Sequence, residues 1–378
     1  MIKICCITAA RSEYGLLKWL MKDLQNSDEF DLQLIVTGAH LSYEQGHTID
    51  EILNDGFIID YIVDAQLDTS ATVEIAKSMG RMAEGIAIAF EKLKPDYILV
   101  LGDRYEMLPI CNAAFVMRIP IIHLSGGDIT EGAIDDGIRN AVTMLAEYHF
   151  PSTGDAANNI IRMRGNDKNI WIVGEPGLDS FNREELFTRK ETAEKFQLDI
   201  ERKWVLMTYH AETKKTMRYN FSAIRNCIEV LLNEDDLQIV ITYANADFGG
   251  KEINKYIEKV ALSNQDKIKV IPSLGHLGYL SYMKQAYFVI GNSSSGIIET
   301  PFMNIPTINI GDRQKGRYQC GNIIQCSIDR NSIEMSVKAI GKTRNVSYVD
   351  LNYWGDGHTS EKIVGVLKGV LKQRECSS

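Results

Sequence analysis

A run of small polar residues follows one of the apolar segments of the sequence and has the make-up of a phosphate-binding turn. Its residues are Gly291, Asn292, Ser293, Ser294, Ser295 and Gly296. Hydroxyl groups, glycines and the free N–H groups of a following helix favour the binding of a diphosphate. Glu299 lies about one helical turn further on, where its carboxylate can accept hydrogen bonds from two ribose hydroxyls. The motif therefore predicts a nucleoside diphosphate site, because a plain serine-rich loop would not explain Glu299.

Carboxylates cluster after two other apolar segments. One segment ends at Gly102-Asp103-Arg104, where the glycine permits close approach of a ligand and Asp103 is placed to act as a general base. The other ends at His123 and continues into a stretch rich in titratable groups, which include Asp128, Glu131, Asp135, Asp136 and Arg139. In this second stretch the density of titratable groups favours acid–base chemistry over a solvated acidic loop. For Asp103 and Arg104 taken alone, a surface ion pair is an equal alternative.

Cationic and imidazole side chains follow further apolar segments. Arg11 begins a helical pattern directly after the first segment, and His210 closes the first segment of the second half. Arg313 opens the charged run Arg313-Gln314-Lys315-Gly316-Arg317 after another segment. Arginine donates charge-assisted hydrogen bonds to anionic oxygens, which favours diphosphate binding at these positions. For each residue taken alone, a structural or solvated turn is the alternative.

The sequence offers weak grounds for a metal site. Asp128 and Asp136 are potential Mg²⁺ ligands. A diphosphate held by arginine side chains and helix N-termini needs no metal, however. The seven cysteines include no CxxC pair that would indicate zinc. We therefore predict neither a metal nor another cofactor.

Short apolar runs alternate with longer amphipathic stretches along the chain. The predicted strands are Ile2–Thr8, Leu32–Thr37, Tyr97–Leu101, Ile119–His123, Ile170–Val173, Trp204–Thr208, Leu237–Thr242, Ile268–Pro272, Phe288–Gly291 and Thr307–Ile310. They show little polar alternation, which is typical of parallel strands buried on both faces. Helical patterns between them include Leu16–Leu24 and Thr72–Leu93. The pattern predicts a doubly wound α/β fold.

A chain of 378 residues is long enough for two such domains. A Gly-Glu-Pro-Gly sequence follows residue 173 and divides the chain into domains of residues 1–173 and 174–358. The terminal segment, residues 359–378, is predicted to form a helix that packs back on the first domain, with Thr359 or Ser360 as its N-cap. Because ligands of such sheets bind beyond the carboxyl ends of the strands, we expect a ligand site between the domains.

The composition is that of an ordinary soluble protein, with a net charge of −9 and a pI near 5.4. An acidic chain is a poor candidate for nucleic-acid binding, which depends on Lys and Arg side chains that neutralise phosphates. We see no signal peptide, and no apolar run approaches the roughly 20 residues that span a bilayer. An odd number of cysteines in mainly apolar stretches indicates reduced thiols. We therefore predict a cytoplasmic protein without nucleic-acid or membrane partners.

Taken in order, these motifs resemble those of the hydrolysing UDP-N-acetylglucosamine 2-epimerases of bacterial sialic-acid synthesis. The resemblance spans nearly the whole chain and includes Arg11-Ser12-Glu13-Tyr14-Gly15 and His210-x-Glu212-Thr213. Its most specific parts are Gly-Asn-Ser-Ser-Ser-Gly from residue 291 and Gly-Asp-Arg-Gln-Lys-Gly-Arg from residue 311. The resemblance implies the GT-B architecture of two Rossmann-like domains. It also implies a UDP-sugar as the bound partner and a homo-oligomer, either a dimer or a tetramer.

The resemblance further implies a reaction in two stages. A base removes the C2 proton of the sugar while UDP leaves from C1, and water then adds to the 2-acetamidoglucal to give N-acetylmannosamine. The catalytic positions of the family match Asp103, Asp135 and His210, with Asp128 and Glu131 as further candidates. The UDP contacts match Arg11, Asn292, Ser293, Ser294, Ser295, Gly296, Glu299 and Arg313. The sugar contacts match His40, Arg104, His123, Ser125 and Arg139.

Two positions in the predicted sugar pocket depart from the family pattern. Ser125 stands where many relatives have a carboxylate, which Asp128 or Glu131 could supply instead, and Asn140 stands where many have histidine. These departures leave the identity of the sugar open. The alternative substrate is UDP-2,4-diacetamido-2,4,6-trideoxyglucose, which is used for legionaminic-type sugars. A GT-B glycosyltransferase and an inactive UDP-sugar sensor are more distant alternatives.

Overall fold

A computed structural model of the chain describes residues 1–43, 47–131, 134–245, 249–343, 346 and 348–375. The chain forms two compact units. Unit 1 comprises Met1–Asp128, Asp135–Asn182 and Gly355–Ser378, and unit 2 comprises Ile129–Ile134 and Arg183–Trp354. Unit 2 therefore takes the short segment Ile129–Ile134 from within the sequence of unit 1.

Unit 1 is built on a parallel sheet. Its strands are β1 (Ile2–Thr8), β2 (Phe30–Thr37), β3 (Tyr61–Val63), β4 (Tyr97–Leu101), β5 (Ile121–Leu124) and β6 (Tyr148–Phe150). They lie in the order β3-β2-β1-β4-β5-β6, and every neighbouring pair is parallel. The carboxyl ends of all six strands therefore lie at one edge of the sheet.

Helices cover both faces of this sheet. They are α1 (Arg11–Gln25), α2 (Ile49–Asn54), α3 (Thr72–Leu93), α4 (Met107–Val116), α5 (Asp135–Leu145), α6 (Gly154–Arg164), the short α7 (Asp179–Arg183) and, at the end of the chain, α14 (Thr359–Glu375). Successive residues of β1 face opposite sides. Ile4 and Cys6 share a core with α1 and α14, whereas Cys5 and Ile7 share a core with α3 and α4. Burial on both faces explains why β1 is an unbroken apolar run.

Unit 2 repeats this arrangement. Its strands are β7 (Lys203–Thr208), β8 (Leu237–Thr242), β9 (Ile268–Val270), β10 (Phe288–Gly291), β11 (Thr307–Ile310) and β12 (Ile323–Cys326). They form a parallel sheet in the order β12-β11-β10-β7-β8-β9. Its helices are α8 (Arg189–Phe196), α9 (Met217–Leu232), α10 (Gly250–Leu262), α11 (His276–Gln285), α12 (Ser295–Phe302) and α13 (Arg330–Thr343).

The predicted strand at Ile170–Val173 is wrong. Only Ile170 forms a bridge, to His149 of β6. Beyond it, the backbone of Trp171 donates to the His149 carbonyl at 3.0 Å, and Val173 donates to the Pro151 carbonyl at 3.1 Å. The Gly-Glu-Pro-Gly sequence follows directly and turns into a short 3₁₀ helix, Pro176–Leu178, so no strand extends from these contacts.

The terminal helix α14 packs on α1, as predicted, through Ile363, Leu367 and Leu371. The prediction that Thr359 or Ser360 caps it is wrong, since both residues lie within its first turn. The carboxylate of Asp179 is the acceptor for this helix end: it accepts the backbone N–H groups of Thr359 and Ser360, each at 2.7 Å. An aspartate distant in sequence thus performs the capping role.

Within the described residues, no helix is both long and apolar enough to cross a membrane. The six cysteines in this part of the chain are free and buried. Cys376 lies outside the described residues.

Candidate active site

In unit 1, predicted site residues gather where β1, β4 and β5 end. Arg11 opens α1 three residues after the end of β1, Asp103 follows β4, and Ser125 follows β5. Because these strands are adjacent and parallel, their following turns lie side by side. The turns after β4 and β5 are joined directly, since the backbone N–H of Gly102 donates to the carbonyl of Leu124 at 3.1 Å.

Arg139 joins the acidic groups of this edge. Its Nη2 donates to the Asp103 carboxylate, and its Nη1 donates to the Asp128 carbonyl oxygen at 2.8 Å. Asp136 Oδ1 lies 3.5 Å from Nη1 of the same guanidinium. The Arg139 side chain is only 1% exposed, whereas that of Asp103 is 22% exposed. A buried guanidinium therefore orients a carboxylate that remains open on one side.

The other predicted carboxylates occupy different surroundings. Asp128 is buried, and Asp135 is partly buried in the first turn of α5. Glu131 belongs to unit 2, where its exposed carboxylate pairs with Lys315 Nζ at 2.9 Å. The structure thus brings Asp103 and the Asp128 backbone together on Arg139, and it places Glu131 with a unit 2 loop.

Two predicted sugar contacts, His40 and His123, are buried beneath strand ends. His123 Nε2 lies 2.9 Å from the Gly102 carbonyl, and its Nδ1 lies 3.3 Å from Thr143 Oγ1. Both ring nitrogens of His40 lie within 2.9 Å of threonine hydroxyls. Burial lowers the pKa of His123 to about 4 and that of His40 to about 3, so both rings are neutral near pH 7. In these positions the two histidines hold the turns of the site.

Arg104, a further predicted sugar contact, lies between two buried glutamates that sequence reasoning missed. Arg104 Nη2 donates to Glu106 Oε1 at 3.0 Å, and Arg104 Nε lies 3.7 Å from Glu13 Oε1. Glu13 Oε2 also accepts the backbone N–H of Ala9 at 2.9 Å. Burial raises the pKa of Glu13, the Glu106 charge raises it further, and Arg104 opposes both effects. One guanidinium thus faces two carboxyl groups, and Glu13 is favoured in its protonated form.

This cluster predicts a pH dependence of stability. In the unfolded chain Glu13 loses its proton near the ordinary glutamate pKa, whereas the folded state retains the proton to higher pH. The folded state therefore binds more protons in this window, and the free energy of unfolding should fall as pH rises from about 5 to about 8. Glu13→Gln should reduce that slope, as measured by urea unfolding at several pH values. The surface variant Glu131→Gln should keep the wild-type slope, and an unchanged slope in Glu13→Gln would contradict the assignment.

In unit 2, Asn292 connects the ends of β7 and β10. Its Oδ1 accepts the backbone N–H of His210 at 2.7 Å, and its Nδ2 donates to the His210 carbonyl at 2.9 Å. The Asn292 backbone carbonyl accepts from Arg313 Nη1 at 3.1 Å and from Gln314 Nε2 at 2.9 Å. Asn292 is fully buried. It therefore fixes three of the predicted diphosphate turns relative to one another.

The hydrogen bonds of His210 identify its tautomer. The backbone N–H of Asn245 donates to His210 Nδ1 at 3.0 Å, so Nδ1 carries no proton. The neutral ring then carries its proton on Nε2 and is a hydrogen-bond donor there. This arrangement suits donation to an anionic oxygen better than removal of a proton.

The serine loop turns sharply into α12. Gly291 has φ +141°, and a Cβ atom at this position would collide with the carbonyl oxygen of Thr208, so only glycine fits. Ser294 is the N-cap of α12, and its side chain makes no capping hydrogen bond. Glu299 is half-buried one turn along this helix. Gly296 is buried in the first turn of α12, and a Cβ atom at this position would lie 3.1 Å from Cγ2 of Thr307.

Tyr279 of α11 supports this loop, and sequence reasoning missed it. Its hydroxyl lies 2.6 Å from Ser295 Oγ, which in turn lies 3.0 Å from Ser293 Oγ. Glu212 supports the neighbouring loop in a similar way, since its Oε1 accepts the backbone N–H of Asp312 at 3.2 Å. Burial raises the pKa of Glu212 to about 6. The His-x-Glu-Thr motif indicated Glu212 in the sequence, whereas no motif near Tyr279 indicated that residue.

Among the described residues, no group of three or more His, Cys, Asp or Glu side chains is arranged to hold a metal ion. The candidate donors to an anion in this part of the chain are arginine side chains, hydroxyls, backbone amides and the His210 imidazole. These donors can stabilise a phosphate directly.

The chain is similar in sequence to two proteins that are named as hydrolysing 2-epimerases. The chain is 36% identical over 327 residues to the GDP/UDP-N,N'-diacetylbacillosamine 2-epimerase (hydrolyzing) of Campylobacter jejuni, covering 86% of this chain and 85% of that protein. It is 32% identical over 370 residues to the UDP-N,N'-diacetylbacillosamine 2-epimerase (hydrolyzing) of Legionella pneumophila, covering 97% and 96% of the two chains.

Similarity to solved structures establishes the fold. The crystal structure of UDP-GlcNAc 2-epimerase from Neisseria meningitidis bound to UDP-GlcNAc superposes with a TM-score of 0.82 at 19% identity, over 97% of this chain and 100% of that one. The predicted GT-B fold with two Rossmann-like domains is thereby confirmed. Residues 22–368 match the UDP-N-acetylglucosamine 2-epimerase family. By fold, sequence and motif order, the chain belongs to the UDP-N-acetylglucosamine 2-epimerase family.

Proposed function

We propose that this protein is a hydrolysing 2-epimerase that converts UDP-N,N'-diacetylbacillosamine into UDP and the free C2-inverted sugar. This substrate is UDP-2,4-diacetamido-2,4,6-trideoxyglucose, the alternative substrate that was inferred from the sequence. The observation that carries the proposal is the similarity, at 36% and 32% identity, to two proteins named as hydrolysing epimerases of this sugar nucleotide. The oriented carboxylate of Asp103 and the donor-lined turns of unit 2 support the same chemistry.

The first step is an elimination. A carboxylate takes the C2 proton, the C1–C2 double bond forms, and the C1–O bond breaks so that its electrons leave with UDP. We assign the acid–base roles to Asp103 and Asp135. Positioned acids and bases of this kind contribute about 10²–10⁴-fold to a rate.

The departing UDP carries additional negative charge, and donors that are already oriented stabilise it most effectively. We assign the diphosphate contacts to the amides and hydroxyls of Ser293–Gly296, to Arg313 and to the Nε2–H group of His210. Arg11, at the N-terminus of α1, is a further candidate for this charge. In the second step water adds its hydroxyl to C1. A proton is delivered to C2 on the face opposite to the one from which the first proton was removed, which completes the inversion.

UDP-N-acetylglucosamine is the second candidate substrate, because the family that the chain matches is described by this compound. Its product would be N-acetylmannosamine, a precursor for sialic-acid synthesis.

The free, buried cysteines of the described residues fit a reducing compartment such as the cytoplasm.

The test is incubation of the purified protein with each UDP-sugar in D₂O, with a chelator present, followed by NMR of the products. We expect UDP release and a free sugar that is inverted and deuterated at C2, with higher kcat/KM for the diacetamido substrate. A product without deuterium at C2 would rule out proton abstraction. Release of UDP without an acceptor would exclude a glycosyltransferase, and higher kcat/KM with UDP-N-acetylglucosamine would reverse the substrate assignment.

Glu299 predicts a specific loss of nucleotide affinity. We expect its carboxylate to accept hydrogen bonds from the ribose hydroxyls, so Glu299→Ala should weaken UDP binding by about 1–3 kcal/mol. Isothermal titration calorimetry with UDP measures this directly. The matched control is Glu334→Ala, which removes an exposed glutamate that pairs with Lys338 on α13. Equal UDP affinity in the two variants would remove Glu299 from the nucleotide site.

A further inference from the structure

Ser125 adopts a backbone conformation that is unusual for a residue with a side chain. Its φ is +54°, in the left-handed region, directly after β5. Its backbone N–H donates to the carbonyl of Phe150 at 3.0 Å, which anchors the turn to β6. An L-residue in this region is disfavoured relative to ordinary backbone, so surrounding contacts must maintain it. Ser125 is therefore held in a defined position at the edge of the sheet.

A buried carboxylate lies behind this serine. The Ser125 hydroxyl donates to Glu175 Oε2 at 3.1 Å, and the hydroxyl of Ser152, which follows β6, donates to Glu175 Oε1 at 2.6 Å. Glu175 is only 4% exposed, whereas Ser125 is partly open to solvent. Of these two groups, the hydroxyl is thus the one that a ligand at this edge can reach.

Glu175 is itself firmly fixed. Its backbone carbonyl accepts from the Thr359 hydroxyl and from the backbone N–H of Leu178, each at 3.2 Å. Both contacts lie within unit 1. With its backbone held by these contacts and its carboxylate by Ser152, Glu175 can orient the Ser125 hydroxyl without much rearrangement.

The turn that carries Ser125 is hydrogen-bonded to the turn that carries Asp103, the proposed acid–base residue. Gly102, the residue before Asp103, donates to the carbonyl of Leu124, the residue before Ser125. Because Leu101 of β4 pairs with Leu124 of β5, Ser125 lies beside Gly102, and Asp103 is the next residue of the adjacent turn. A hydroxyl that gives its hydrogen to a carboxylate can only accept at its own oxygen, and polarisation by the charge makes it a better acceptor.

We propose that Glu175 is a positioning residue that orients the Ser125 hydroxyl as the acceptor for an amide N–H or hydroxyl of the substrate sugar. The inference rests on the proposed function, because it assigns a specificity contact within the same reaction. The role of the carboxylate that many relatives have at position 125 then belongs to the Ser125–Glu175 pair, rather than to Asp128 or Glu131 alone. Ser152 accounts for the second carboxylate oxygen and provides a matched control.

The test compares Ser125→Ala, Glu175→Gln, their double variant and Ser152→Ala in the UDP-release assay. Each of the first two should lower kcat/KM by up to about tenfold, the scale of one hydrogen bond between neutral groups, with UDP affinity unchanged. The double variant should lose no more than either single variant, because both remove one interaction. Ser152→Ala should stay within about twofold of wild type in kcat/KM, although its melting temperature should fall.

Wild-type kcat/KM in Ser125→Ala would overturn the inference, and so would additive losses or an equal loss in Ser152→Ala. If Glu175→Gln does not fold, Ser125→Ala still tests the substrate contact on which the inference depends, since it alters only a partly exposed hydroxyl. An active wild-type enzyme with unaffected variants would overturn this inference only. A wild-type protein that releases no UDP from either sugar nucleotide would overturn the proposed function together with it.

Discussion

Asp103→Asn should lower kcat by about 10²–10⁴-fold while UDP affinity remains close to that of the wild type. Asparagine keeps the shape and one acceptor oxygen of aspartate, so the hydrogen bond from Arg139 can persist. It cannot accept a proton from C2, however, because an amide is not a base near neutral pH. The measurements are kcat from the UDP-release assay, the dissociation constant for UDP, and the melting temperature of the same protein preparation.

The control for this variant is Asp136→Asn. Asp136 also lies near the Arg139 guanidinium, at 3.5 Å, so its replacement removes a negative charge from the same buried cation. Both variants should lower the melting temperature, since a buried guanidinium is destabilising when its counter-charges are removed. Only Asp103→Asn should lose turnover. A comparable loss of kcat in both variants would mean that Asp103 serves to hold Arg139 rather than to transfer a proton.

The element order could be predicted from the sequence because the central strands are buried on both faces. β1, β4, β8, β10 and β11 coincide with apolar runs, and α3 coincides with the helical pattern Thr72–Leu93. The strands that were missed, β3, β6 and β12, contain only three or four residues each and lie at or near sheet edges. Such short segments carry too little periodicity to be separated from loops.

The candidate site was predictable where its residues follow strands, and much less so elsewhere. Asp103, Ser125, His210 and Asn292 are adjacent to apolar runs. The unit 1 sheet brings the turns of the first two together, and the unit 2 sheet brings the turns of the last two together. Glu175 and Tyr279 support the site from positions that are distant in sequence. Their roles depend on tertiary contacts, such as the Ser125–Glu175 hydrogen bond across 50 residues, for which the local sequence contains no signal.

The structure also alters the expected roles of several residues. Asn292 was predicted to contact UDP, yet its side-chain amide is bonded to the His210 backbone. His40 and His123 have ring nitrogens bonded to groups of the protein. A motif thus identifies which turns meet, while the hydrogen bonds decide which side chains face a ligand and which hold the turns.

Asp135→Asn should likewise lower kcat by about 10²–10⁴-fold with little change in UDP affinity. Asp135 and Asp136 both lie in the first turn of α5, where a negative charge stabilises the positive end of the helix. That electrostatic role contributes only about 0.3–1 kcal/mol and is shared by both residues. Of these two aspartates, only Asp135 is assigned a proton-transfer role, so the two should differ sharply in kcat.

A third variant separates catalysis from helix stabilisation. Asp155 lies in the first turn of α6 in the same unit and is exposed, so Asp155→Asn is a comparison for the removal of a helix N-terminal charge. We expect Asp135→Asn and Asp155→Asn to lower the melting temperature by similar small amounts, whereas only the former loses turnover. The UDP-release assay and thermal unfolding measured on all three variants decide this. If Asp135→Asn keeps near-wild-type kcat and resembles Asp155→Asn in both measurements, Asp135 stabilises a helix and takes no part in proton transfer.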